Sequence, residues 1–256
     1  MASSLPSALR ELGHDARLVV PAYPQARRMV RELRRLMEWR LPGIPKPVQI
    51  LHGFLPDRDL PVYLVDAPDH FSREGNPYTD MSGNDWGDNP ERFLLFCRVV
   101  GHLAMGLPTL DWRPDILHCN DWQTGLVPVL LRDQADRPAI IFTIHNLAYQ
   151  GVFDRATFDR LHLPAALWSM AGLEFHHRMS FIKGGISFAD LINTVSPSHA
   201  EEIKTPAHGF GLDGLLRQLG GRFCGILNGI DYREWNPAQD STLPQTYDAH
   251  RIHLKS

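Results

Sequence analysis

Only three cysteines occur in 256 residues, Cys97, Cys119 and Cys224, far apart and without metal-ligand spacing. That pattern argues against a structural zinc site, still more against a disulfide framework, and suits a reducing compartment. Long apolar runs are missing too, and no stretch approaches the roughly 20 residues of a membrane span. Arg10, Glu11, Asp15 and Arg17 near the start break any apolar core of a signal peptide. Neither sign of charge dominates. A net charge of −3 gives no global pull toward nucleic acid or an acidic membrane. These absences predict a soluble cytoplasmic chain with no nucleic-acid partner, no membrane partner and no bound metal.

What is present is ordinary in bulk: 43% hydrophobic and 21% charged residues, enough chain for one large α/β domain or two small ones. Short apolar runs bounded by turn signals predict buried strands at Arg17–Val20, Val48–Leu51, Val62–Val65, Ile116–Leu117, Ala139–Ile144, Leu191–Val195 and Phe223–Leu227. Helical periodicity lies between many of them. Leu5–Leu12 stops at Gly13, and Glu91–Leu107 sets Phe93, Phe96, Val100, Leu103 and Leu107 in one stripe. Alternation of this kind predicts an α/β fold with a parallel sheet covered by helices on both faces. Arg27, Arg28, Arg31, Arg34 and Arg35 have the spacing of one helix face, read as a solvated face rather than an anion site. The chain opens on a helical pattern without a strand before it and closes on a polar tail, so both ends read as cut.

Three polar clusters follow apolar strands. "ILHCNDW" carries His118, Asn120, Asp121 and Trp122; "FTIHN" carries His145 and Asn146; "GILNGID" carries Asn228, Gly229 and Asp231. In open α/β sheets, residues at the carboxyl ends of strands converge on the ligand crevice. Carboxylate and carboxamide groups suit vicinal hydroxyls, and the loop "FSREGNPYTDMSGNDWGDN" adds Tyr78 and Trp86 as faces for sugar rings. His145 taken alone equally fits a structural histidine, and the loop an ordinary surface loop. Lys183, in "IKGG", fits either a loose phosphate grip or the lining of a helix. The P-loop signature is missing, as is HExxH.

"RPDILHCNDWQTGLVP", "FTIHNLAYQGVF", "GLEFHHRMSFIKGGISFADLINTVSPSHAEEI" and "GILNGIDYREWNP" together resemble the bacterial glycogen synthase and plant starch synthase family over almost the whole chain. "ALRELGHDARLVVPAYP" and "LVDAPDHFSREGNPYTD" resemble it as well. The resemblance implies the N-terminal, acceptor-side half of a GT-B glycosyltransferase, Rossmann-like and lacking the first strand with its Lys-x-Gly-Gly-Leu loop. It places that domain over residues 1–240 and the start of an inter-domain linker over 241–256, with the C-terminal nucleotide-binding domain absent. The implied reaction is retaining transfer of glucose from ADP-glucose to the non-reducing 4-hydroxyl of an α-1,4-glucan such as glycogen. No cofactor or metal is implied, and the chain alone is expected to be inactive and poorly stable.

By resemblance, His145 and Asp121 are the catalytic candidates, His145 near the glucose 6-hydroxyl and Asp121 on donor or acceptor hydroxyls. Asn146 and Asn228 would frame the sugar and Tyr78 would serve the acceptor, with Asn120 and Lys183 as further substrate-binding candidates. Three alternatives stay open at this point. They are a non-catalytic glucan-binding module, another GT-B enzyme such as sucrose synthase, and a glycoside hydrolase pairing Asp121 with Asp66 or Asp231.

Overall fold

A computed structural model of the chain describes residues 4–41, 44, 46–56, 59–232 and 235–255. Met1–Ser3, where the start of the chain was read as cut, lie outside the described residues. Two compact units divide the chain, Met1–Ile226 and Leu227–Ser256.

Within the first unit, β1 (Leu18–Pro21), β2 (Arg31–Trp39), β3 (Val48–Leu55) and β4 (Leu60–Asp66) form one sheet in the order β1-β4-β3-β2. The second sheet holds β5 (Ile116–Asn120) and β6 (Ala139–Ile144). A small three-stranded sheet of β7 (Val152–Phe153), β8 (Glu174–Phe175) and β9 (Arg178–Ser180) lies between these in sequence and β10 (Leu191–Thr194) and β11 (Phe223–Gly225). The second sheet runs β11-β10-β6-β5 and is parallel throughout. The α/β fold with a parallel sheet is therefore present, but four of the eleven strands among the described residues belong to a mixed sheet. β1 pairs β4 in parallel, whereas β3 pairs both β4 and β2 antiparallel. The cause is connection length: the link from Leu55 to Leu60 is far too short for a helical crossover, so the chain turns back on itself.

The arginine run is also corrected. Arg27 and Arg28 end a helix, Pro24–Met29, but Val30 is extended (φ −86, ψ 126), and Arg31, Arg34 and Arg35 lie on β2. Pairing with β3 overrides the helical spacing there. The approach is close: a Cβ at Gly53 on β3 would stand 2.5 Å from the Arg31 carbonyl oxygen.

The helix Asn89–Ala104 fills the core much as the stripe predicts, with Phe93, Phe96, Val100 and Leu103 all buried. It begins with Pro90 in its first turn and stops before Gly106, whose φ of +92 lies in the left-handed region that ends helices. Its apolar side joins a single core with Val48, Ile50, Tyr63 and Val65 of the mixed sheet and with Cys119, Phe142 and Ile192 of the parallel one. Leu126–Leu131 and Phe181–Phe188 add further buried helical faces. Among the described residues no helix is long and apolar enough to cross a membrane.

Candidate functional site

Strands β5 and β6 deliver the first two polar clusters side by side, because Asn120 lies opposite Thr143 in the parallel register. The ladder runs one residue further, with the Asp121 amide donating to the Thr143 carbonyl at 3.0 Å. Asp121 itself has φ +57, a conformation that costs a non-glycine residue energy and turns its side chain across the strand ends. Its Oδ1 accepts the His145 amide N–H at 2.8 Å. The Asn120 Oδ1 lies 3.0 Å from His145 Nε2, and since that oxygen only accepts, the imidazole donates from Nε2.

Polar groups remain for a ligand once those bonds are made. Asp121 keeps Oδ2, Asn120 keeps its amide N–H donors, and His145 keeps Nδ1 as an acceptor. Burial raises the Asp121 carboxyl above the ordinary carboxylate range, opposed by the His145 and Asn146 backbone N–H groups and by the His145 ring. Asn146 is exposed, and its side chain caps the turn by accepting from the Ala148 amide at 3.0 Å. A ladder of polar side chains also crosses three strands, starting at the exposed His118. His118 Nε2 lies 2.6 Å from Thr143 Oγ1, and that hydroxyl donates to Asn193 Oδ1 at 2.6 Å. The single hydroxyl proton is thus committed, so His118 donates from Nε2. Desolvation by the surrounding protein, and secondarily the nearby His145, push the His118 pKa down, although the residue is exposed.

Trp122 supports the cluster from below at 9% exposure, with rings of Phe93, Phe153 and Phe181 around it at 4.9–6.1 Å. Gly151 explains the glycine that closes "HNLAYQG". It has φ +58, and a Cβ there would meet Trp122 Cε3 at 2.3 Å. Tyr78 comes to this site from the loop before the long helix. Its ring lies 6.5 Å from that of Trp122 and is 43% exposed. Burial raises the Tyr78 hydroxyl pKa, and the Asp121 charge adds to the shift, so the two side chains feel each other.

Lys183 and Asn228 each have surroundings of their own. Lys183 is 7% exposed in the helix Phe181–Phe188, and its ammonium donates to the Met170 carbonyl at 2.6 Å and to the Glu174 carbonyl. That is the helix-lining arrangement, with the charge spent on two carbonyls. Asn228 is an exposed residue of the second unit. Asp66, proposed as a hydrolase partner of Asp121, is held by Arg27 at 2.5 Å. Among the described residues no group of three or more His, Cys, Asp or Glu gathers as a metal site.

Sequence reasoning passed over Arg92 and Asn89, both buried. The signal was weak: Arg92 lies between Glu91 and Phe93 on a helix that also carries Arg98 and His102. Thr143 and Asn193 were also missed, since a hydroxyl or amide inside a strand is invisible until the neighbouring strands are known.

Residues 1–218 match the family model described as the starch synthase catalytic domain. The chain is 54% identical over 250 residues to the glycogen synthase of Thioalkalivibrio sulfidiphilus, covering 97% of this chain and 52% of that protein. It is 51% identical over 255 residues to glycogen synthase 1 of Methylococcus capsulatus, covering 100% of this chain and 51% of that one. Among solved structures, the catalytic domain of starch synthase IV from Arabidopsis thaliana, bound to ADP and acarbose, superposes with a TM-score of 0.82 at 32% identity. It matches 98% of this chain, which covers 52% of that one. The chain spans about half the length of the curated relatives it matches.

Proposed function

The chain belongs to the starch synthase catalytic domain family, and on that premise we propose that it is the acceptor-side part of a glycogen synthase. The reaction is retaining transfer of glucose from ADP-glucose to the non-reducing 4-hydroxyl of an α-1,4-glucan. Residues 1–240 form the acceptor-side catalytic domain and 241–256 begin the linker to a nucleotide-binding domain. The site works in the bacterial cytoplasm, a compartment in keeping with three free cysteines.

The observation that carries this reading is the Asp121–His145 junction at the ends of β5 and β6. One carboxylate oxygen fixes the backbone of His145, and Asn120 holds the imidazole. Such a set of one anionic acceptor, one amide donor pair and one imidazole acceptor matches the vicinal hydroxyls of a hexose. Its groups are held before the sugar arrives, which is what placement of donor and acceptor around a developing oxocarbenium-like charge requires. Tyr78 offers an exposed aromatic face at the same site for the acceptor glucan. The names of the relatives support glycogen over sucrose chemistry, and the ADP and acarbose in the solved relative support an ADP-linked donor and a glucan-like acceptor.

Titration calorimetry with ADP-glucose and with maltoheptaose tests the reading. Binding of maltoheptaose that weakens in Tyr78→Ala, together with loss of sugar binding in Asp121→Ala, is the expected result. A wild-type chain indifferent to both ligands would overturn it. Transfer of labelled glucose to glycogen without any dependence on Asp121 or His145 would overturn the assignment of residues.

A further inference from the structure

Arg92 is a charge buried for a purpose the cluster above does not explain. It is 1% exposed, and no ion pair with a carboxylate is found for it among the described residues. Its cation is instead surrounded by π faces, 5.7 Å from the Phe71 and Phe93 ring centres and 6.0 Å from that of Trp86. Burying a guanidinium in this way is costly unless its N–H groups are well used.

They are used to close a loop. Nε donates to the His70 carbonyl at 2.7 Å, just before residues 72–88 leave the helix Pro68–Phe71. Nη1 donates to Asn89 Oδ1 at 2.7 Å, where those residues rejoin the long helix. The planar fork therefore ties the two stems together. Asn89, itself 5% exposed, passes the constraint inward, because its Nδ2 donates to the Tyr78 carbonyl at 2.9 Å. The Trp86 amide donates to the same carbonyl at 3.0 Å. Tyr78 is thus fixed through its backbone, which leaves the ring free to face a ligand.

We propose that Arg92, acting through Asn89, is a positioning residue that sets Tyr78 for the acceptor glucan. The inference rests on the acceptor role given to Tyr78 above. Lysine would not replace the arginine, since a single ammonium lacks the planar fork that reaches both stems.

Asn89→Asp separates positioning from mere folding. An aspartate keeps the acceptor for Arg92 and gives it a carboxylate, but it has no N–H for the Tyr78 carbonyl. Maltoheptaose titrated into the 256-residue chain is the readout, with thermal melting alongside. Asn89→Asp is expected to melt no lower than wild type yet bind maltoheptaose about ten-fold more weakly, as one buried carbonyl loses a partner. In a Tyr78→Ala background the same change is expected to add nothing, because the two act as a unit. Wild-type affinity in Asn89→Asp, or full additivity with Tyr78→Ala, would overturn the positioning role alone. Equal affinity of wild type and Tyr78→Ala would instead overturn the acceptor reading on which it stands.

Discussion

The two sides of the candidate site are held by different means. On one side, Asn120, Asp121 and His145 sit where two paired strands end, and main-chain hydrogen bonds continue past the strands to place them. On the other, Tyr78 stands in a loop with little regular pairing, and buried side chains of Arg92 and Asn89 hold it. The first arrangement is rigid because a ladder leaves each residue little freedom. The second depends on a few hydrogen bonds, those of Asn89 and of the Trp86 amide to the Tyr78 carbonyl and that of the Tyr78 amide to Asn76. On the function proposed above, the strand side holds the transferred sugar, where small displacements matter most.

The comparison breaks most severely at Gly151. Gly151→Val places a branched side chain at φ +58 and onto the Trp122 ring under the strand ends. Overpacking and left-handed strain together predict a loss of about 3–5 kcal/mol, read by urea denaturation. Tolerance of valine there would mean that Trp122 does not brace the strand side.

Asp121→Asn is next, and it separates function from stability. Loss of the charged acceptor predicts roughly 10- to 100-fold weaker sugar binding by calorimetry. Stability should move the other way. Burial raises the Asp121 carboxyl in the folded chain, so the folded state holds that proton to higher pH than the unfolded state does. Its contribution therefore falls as pH rises from the ordinary value of about 3.9 through the raised one. The melting advantage of Asp121→Asn should grow across that window and stay constant above it; an advantage that shrinks with pH would contradict the cause given for the shift.

Lys183→Met tests a buried cation outside the comparison. With its two carbonyl partners abandoned, a loss of about 1–3 kcal/mol is expected while sugar affinity is unchanged. Weaker ADP-glucose binding at unchanged stability would restore a substrate role. The smallest effect belongs to Tyr78→Phe. It keeps the ring face and removes only the hydroxyl, so maltoheptaose affinity should stay within about three-fold of wild type, against a loss of about ten-fold or more for Tyr78→Ala.

Much of the strand side was legible. Ala139–Ile144 is a run of six residues that is a strand over the same bounds, and His145 and Asn146 follow it because the apolar signal stops there. Asp121 was placed by the same logic. Lys183 was ambiguous, because "IKGG" does not say whether an ammonium faces solvent, ligand or its own neighbours; the Met170 and Glu174 carbonyls decide that from elsewhere in the chain. Arg92 went unnoticed because periodicity marks where a side chain points, not what it meets.

The amino-acid sequence by itself determined where β5 and β6 lie and which polar residues close them, since apolar runs and turn signals are local; the predicted run Phe223–Leu227 stops at Gly225, and β9 was not foreseen. It also determined family membership, through motifs kept in order along nearly the whole chain. Tertiary structure alone decided strand direction, turning β3 antiparallel and drawing Arg31, Arg34 and Arg35 out of a helical pattern into β2. It alone decided which polar groups were already satisfied and which were left to a ligand. The physical reason is the same in each case: a hydrogen bond has two ends, and a sequence pattern names only one of them.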